Sequence, residues 1–455
     1  MIRPSKRYSL LITSVLLSVL LTACGSENKE GATNEWVVTN PETESPYSTE
    51  SILNSSNELV FAGLQKDNEQ VKSLLTAYDL EGNILWQANE KKDVGYDAII
   101  ESAVGGYIVA GGVIHLENNY PKYSQPVVAK YSPLGEELWS TTLDEQAFSE
   151  IKVGRDDNDQ SYVYTKNYIQ DGANNFVDFS LSKVDATGNI LWNKQFRENC
   201  TCWDTHFAVD SMGNSYLAYA LGSGPSLTQF DSEGNQQWQF SVPSDGDLMP
   251  SIQTLFIDQS DRAVMHTTIS KQVTPTFIPP TAAATYAFTT NGAIAWEYHL
   301  PAVSTDYKLN VESEGITVDA NGNYYLAHSS SRQDFAVPCP FCEVVTYKLY
   351  LTKLTPDGNE LWHQSIVVNQ AGASYVSAND GLVALINDEY IRAFNTENGE
   401  LIIQQESDTV SRNLTNAFIT KDSHFYLVSD AGTSYNRNYQ IEKWVRNTEV
   451  TSETP

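Results

Sequence analysis

Six times along this chain an aromatic or aliphatic residue is followed four positions later by glycine, and four further on by tryptophan. The copies read YDLEGNILW (78–86), YSPLGEELW (131–139), VDATGNILW (184–192), FDSEGNQQW (230–238), FTTNGAIAW (288–296) and LTPDGNELW (354–362). A seventh, FNTENGELI (394–402), is read with Asn398 at the glycine place and Ile402 at the tryptophan place. The apolar residue ends a strand, and the polar pair with glycine makes a tight turn that needs positive φ. Tryptophan then lies on the returning strand, so each copy is a hairpin tip whose indole packs between sheets. Gly82, Gly135, Gly188, Gly234, Gly292 and Gly358 are therefore turn residues, and Trp86, Trp139, Trp192, Trp238, Trp296 and Trp362 inter-sheet packers. A second hairpin signal lies between copies: ESAVGGYIVA (101–110), GRDDNDQSYVY (154–164), VDSMGNSYLA (209–218), VDANGNYYLA (318–327) and TKDSHFYLVS (420–429). Each unit thus has four strands, a to d. Successive glycine places are 53, 53, 46, 58, 66 and 40 residues apart, the period of four-stranded propeller blades.

The ends of the chain extend the count. After the seventh hairpin come LTNAFITKD, HFYLVSD and NYQIEKWV, which supply strands a, b and c of a further blade. Near the start, Asn34-Glu35-Trp36-Val37-Val38 reads as an orphan strand d with Trp36 in the repeated place. Pairing it beside residues 438–445 closes the ring and removes a sheet edge. The expected fold is an all-β propeller of eight four-stranded blades over residues 34–447, with seven as the alternative if 370–403 is too short for a blade. High aromatic content (11%) and few charged residues (19%) favour strands over helices.

Residues 1–23 read as a processed leader. Basic Arg3, Lys6 and Arg7 precede the apolar run YSLLITSVLLSVLL, which is too short to span a bilayer. The sequence Leu21-Thr22-Ala23-Cys24 resembles the bacterial lipobox. That resemblance implies diacylglycerol on the sulfur of Cys24, cleavage before it, and an acyl chain such as palmitate on the new amine. Two lipid signals give stable anchoring. Gly25 stands where the inner-membrane retention signal of such lipoproteins is usually Asp, which implies an outer-membrane lipoprotein facing the periplasm or the cell surface. Residues 24–33 read as a flexible tether and 448–455 as a disordered tail. Without the leader, 25 basic residues face 57 acidic ones, a balance that repels nucleic acid and anionic lipid.

The Asp-x-x-Gly-x-x-x-Trp pattern resembles the quinoprotein-type propellers of the PQQ-repeat superfamily. It is also similar to the lipoprotein propeller of the outer-membrane β-barrel assembly machinery. The quinone-dependent dehydrogenases of the superfamily carry an adjacent cysteine pair, which this chain lacks. No cofactor is expected, and no residue is assigned as a metal ligand.

Four further cysteines, Cys200 and Cys202 in a d–a connection and Cys339 and Cys342 in a b–c connection, fall on one face of such a ring. An oxidising compartment favours disulfides. Local pairs and a cross-blade pairing both remain open, as does a four-sulfur metal site. His266 and His328 are read at equivalent places on strand b of neighbouring blades, with Tyr219 matching. Asp156, Asp157 and Asp159 cluster in one turn, read as solvated or as calcium-binding. No hydrolase, zinc-protease or phosphate-loop signature is present, so no catalytic residue is assigned. The longest loops are expected near 270–283, 332–345 and 116–126; the first two belong to adjacent blades and, with the cysteine loops, mark a binding face for a protein or glycan partner. An enzyme using the central channel, or a part of an outer-membrane assembly complex, are the alternatives.

Overall fold

The computed structural model describes residues 32–446 apart from 40–44, 68–69, 89–90, 118–119, 145–146, 172–173, 199–204, 222–223, 243–247, 274–275, 301–308, 336–342, 369–374, 380, 388–389, 407–412 and 431–438. Its strands form eight separate four-stranded antiparallel sheets, and it contains no helix among the described residues. Blades 1 to 7 are residues 45–87, 94–142, 150–198, 205–241, 248–299, 309–368 and 375–406. Blade 8 combines 413–446 with strand Ala32–Thr39. The innermost a strands touch in unbroken succession from blade 1 to blade 8, and blade 8 touches blade 1 again. The molecule is an eight-bladed propeller.

Closure follows the register expected for the orphan strand. Trp36 stands opposite Lys443 and Ala32 opposite Arg446. The strand begins at Ala32, two residues ahead of the expected domain start. Blade 7 is complete despite its short strands, which rules out seven blades.

The repeated hairpin works as a lock between blades. Gly135, Gly188, Gly234, Gly292 and Gly358 all have positive φ, and an added Cβ at any of them would lie 3.0 Å or closer to the tryptophan ring of the preceding blade. Gly82 shares the positive φ. One extra residue on strand d, such as Leu191, lets Trp192 pair with Lys183 after Ile190 pairs with Val184. The indole N–H then donates across the gap: Trp139 to Ala186 O (2.9 Å), Trp192 to Ser232 O (3.2 Å), Trp238 to Thr290 O (3.1 Å) and Trp362 to Thr396 O (3.2 Å). The indoles of Trp86 and Trp296 have no partner among the described residues, and the turns that they face carry Pro133 and Pro356 at that position.

The seventh copy differs from its sequence reading. Its turn is one residue longer, so Gly399 (φ 73°) rather than Asn398 packs on Trp362. Ile403, fully buried opposite Ala393, takes the tryptophan place instead of Ile402. The extra residue Glu397 in a longer turn displaces both.

Between each pair of blades lies an apolar layer. Alternate residues of strands b and c point to the blade before and the blade after. Val60, Ala62, Leu75 and Ala77 of blade 1, for example, meet Tyr96, Tyr107 and Val109 of blade 2.

Candidate binding face

The two faces of the ring are built differently. On one, the a–b and c–d turns are short and capped by their own side chains. Asn54, Asp156, Asp210, Asp258 and Asp319 each accept two backbone N–H bonds, from the residues two and four positions on. Asp79, Asp185 and Asp231 do the same in c–d turns. Bonds from Asn189 and Thr187 hold the exposed Asp185 carboxyl well below the usual range. Such turns have little left to offer a ligand.

Clasps join neighbouring turns on this face. Asp159 accepts Ser102 Oγ and Ala103 N, both at 2.8 Å, and pairs with Lys130 of the preceding blade. Asp261 accepts Ser211 Oγ at 2.6 Å. Asp156 and Asp159 are buried and already bonded, which corrects the reading of that acidic turn as solvated; Asp157 alone is exposed. Sequence reasoning also missed the lysines opposite the tryptophans. Lys183 and Lys353 donate to the same carbonyls as Trp192 and Trp362, those of Ser232 (3.1 Å) and Thr396 (2.7 Å). The recurring Lys just before the apolar turn residue (130, 183, 353, 443) was the available signal.

The opposite face carries the b–c and d–a connections. The segments 116–126 and 270–283, expected as long loops there, are strand over most of their length, which corrects that expectation; of 332–345 only 332–335 and 343–345 are described, and both are strand. Strands Tyr107–Glu117 and Tyr120–Tyr131 pair up to Glu117 opposite Tyr120. Strands Ala263–Val273 and Thr276–Phe288 pair up to Val273 opposite Thr276, with irregular register around Ser270. Strands Tyr324–Phe335 and Glu343–Leu354 pair up to Phe335 opposite Glu343. Runs of Thr, Val, Ile, Phe and Tyr carry the ladder past the ring's body, so this face is a crown of tall ribbons. Cys24, Cys200, Cys202, Cys339 and Cys342 lie outside the described residues.

A cleft of about 280 Å³ opens on this side between blades 2 and 3. Phe148 and Phe179 line its apolar part, and Asp144, Asn167, Asp178 and Gln195 its polar part. Asp178 is held by Arg197 (Nη2 to Oδ2, 2.7 Å), whose guanidinium lies over Phe176. Phe148 stacks on Tyr123 at 5.0 Å, and the Tyr123 hydroxyl donates to Asp97 at 2.6 Å. Asp97 is the extra residue of a bulge in an innermost strand. Burial pushes its carboxyl up to about 6, against the pull of Tyr123 and of the Lys152 charge. On the other side of blade 3, where it meets blade 4, buried Lys166 pairs with Glu150 and donates to Thr205 Oγ1 at 3.1 Å. Lys166 also lies 5.2 Å from the ring centre of the exposed Tyr168.

Side chains also suture the innermost strands around the axis. Glu50 accepts Ile99 N at 2.7 Å, Ser377 accepts Ile419 N at 3.1 Å, and Asn416 donates to Ser51 O at 2.9 Å.

His266 and His328 do meet, with ring centres 5.2 Å apart and no solvent exposure. Their places are not equivalent, however. His266 is the eighth residue after Asp258, the residue that caps its a–b turn, while His328 is the ninth after Asp319. Side chains on a strand alternate, so His266 points to the next blade and His328 to the preceding one. Equivalent positions would have pointed the same way round the ring and never touched. Tyr219 is the true match of His328 and likewise packs backwards, on Phe179. His266 Nδ1 bonds Thr285 Oγ1 at 2.7 Å, and the remaining three ring nitrogens of the pair have no partner among the described residues.

No known protein family and no curated protein matches the chain. Solved structures similar to it include the polysaccharide lyase Uly1 (10% identity, 90% of this chain and 99% of that one, TM-score 0.47) and the WD40 domain of SCAP from fission yeast (10%, 90% and 97%, 0.45). Another is a protein of unknown function from Bacteroides caccae (12% identity, 59% of this chain and 83% of that one, TM-score 0.31).

Proposed function

We propose that this protein is a non-enzymatic binding module of the cell envelope, anchored through lipid on Cys24 and offering its crown to a partner. The observation that carries the reading is the contrast between the faces: one is closed by self-capped turns, the other raises long ribbons around an open cleft. Carboxylates and amides beside aromatic rings fit a hydroxyl-rich ligand, and a glycan is the first partner class. A protein partner is the second, favoured by exposed Tyr168 and by Arg197 over Phe176, residue types that dominate protein interfaces. The repeat's resemblance to the assembly-machinery propeller points to an outer-membrane assembly complex as one home for such a partner.

The test is photocrosslinking in intact cells from a probe at Asn167, paired with binding of the purified protein to an envelope glycan library. The expected result is a discrete crosslinked product or glycan hit, weakened about tenfold or more by Asp178→Ala with Gln195→Ala, the loss of roughly one charged and one neutral hydrogen bond. Binding indifferent to both substitutions overturns the placement on this cleft. Turnover of a captured glycan overturns the non-enzymatic reading.

A further inference from the structure

We infer that the capped-turn face is turned toward the anchoring bilayer, and that the crown is held out of the bilayer's reach. The inference rests on the lipid-anchor reading of Cys24. Strand c of the last blade, Tyr439–Arg446, runs from the crown side down to the c–d side. Ala32 pairs antiparallel with Arg446, so the chain enters the ring at the capped-turn face.

Residues 24–31 separate the lipid site from that entry. Eight residues span at most ~28 Å when fully extended. Strand Tyr324–Phe335 has twelve residues. At ~3.3 Å per residue it rises ~36–40 Å from the capped-turn side to the crown. The tether is therefore too short to run up the side of the ring and lay the crown on the headgroups while the lipid stays inserted.

The near face has the means to rest on a bilayer. Its most exposed apolar side chains sit at turn tips: Val104 (75%), Leu134 (74%) and Met212 (71%). Val104 and Met212 are on a–b turns and Leu134 is on a c–d turn. The acidic caps around them disfavour anionic lipid, so the fitting surface is zwitterionic. The consequence for the crown is that its partner comes from the aqueous side, as a soluble molecule or one projecting well beyond the membrane.

The test places a fluorescent amino acid at Val104, Leu134 or Glu117 in the full lipidated chain. Each variant is reconstituted on phosphatidylcholine vesicles carrying a headgroup-labelled acceptor. The mass of the N-terminal peptide is read first. Expected are a lipidated Cys24 and energy transfer at least threefold more efficient from 104 and 134 than from 117. An unlipidated peptide overturns the anchor reading and this inference with it. A lipidated chain whose residue 117 transfers as well as or better than 104 overturns the inference alone.

Discussion

At the scale of single residues, the histidine pair shows what a one-position shift does. Both rings are sealed between blades 5 and 6, and burial lowers their affinity for protons. His266 falls to about 4, and His328 lies well below the usual value under the added influence of His266 and His363. An unfolded histidine titrates near 6.5. As pH drops below 6.5, the unfolded chain takes up protons that the fold refuses, so stability falls. The loss from His266 ends once the folded form protonates too, near 4. The slope is about 1.4 kcal/mol per pH unit for each such histidine. His266→Leu with His328→Leu should therefore flatten the decline between pH 6.5 and 4. Urea midpoints of the parent and the variant, taken at several pH values, check it, and the difference between them removes the background of 57 carboxylates. Parallel pH profiles would refute the account. The sequence showed two histidines on neighbouring b strands, but it did not show which way each pointed. That depends on counting from the capping aspartate, and both strands read as the same apolar-then-His pattern.

Elements were legible wherever a turn is specified by its own residues. The Gly-to-Trp hairpin carries turn chemistry, strand end and inter-blade contact within nine residues, and the structure keeps it in six copies. The misread copy is the one whose turn gained a residue. The crown was misjudged for a related reason: 270–283 holds Pro279 and Pro280, which read as loop, yet their strand continues through an irregular ladder. The inter-blade lock makes a quantitative prediction. Trp192→Ala removes a half-buried indole and its bond to Ser232, costing about 2–4 kcal/mol. Gly234→Ala sets a methyl against the Trp192 ring, 2.9 Å from the nearest atom, at φ 74°, costing about 1–3 kcal/mol. In the double variant the methyl enters space that the indole has left, and only the backbone strain persists. The combined loss should fall at least 0.5 kcal/mol short of the sum. Strict additivity in denaturant titrations would show that the two groups do not touch.

For the whole molecule, everything converges on a ring whose last sheet is shared by the two ends of the chain. The orphan strand was readable because Asn34-Glu35-Trp36-Val37-Val38 resembles a repeated strand d with Trp36 in the tryptophan place, while the last blade supplied only strands a, b and c. The faces were only half readable, since turn caps are local while the height of a ribbon depends on how far two distant segments stay paired. Closure ties the ends together through main-chain bonds from Ala32–Arg446 to Thr39–Gln440 and through the Lys443–Glu35 ion pair (2.8 Å). A chain lacking residues 1–41 keeps seven whole blades but leaves the edge of Tyr439–Arg446 unpaired, a template for joining another molecule. It should elute as oligomers and melt more than 10 °C below the chain that starts at residue 24. A synthetic peptide of residues 30–41, added in excess, should restore the monomer and most of the melting temperature, because the missing strand supplies its bonds without a covalent link. A truncated chain that stays monomeric and equally heat-stable would mean that the interfaces between neighbouring blades hold the ring shut without the shared sheet.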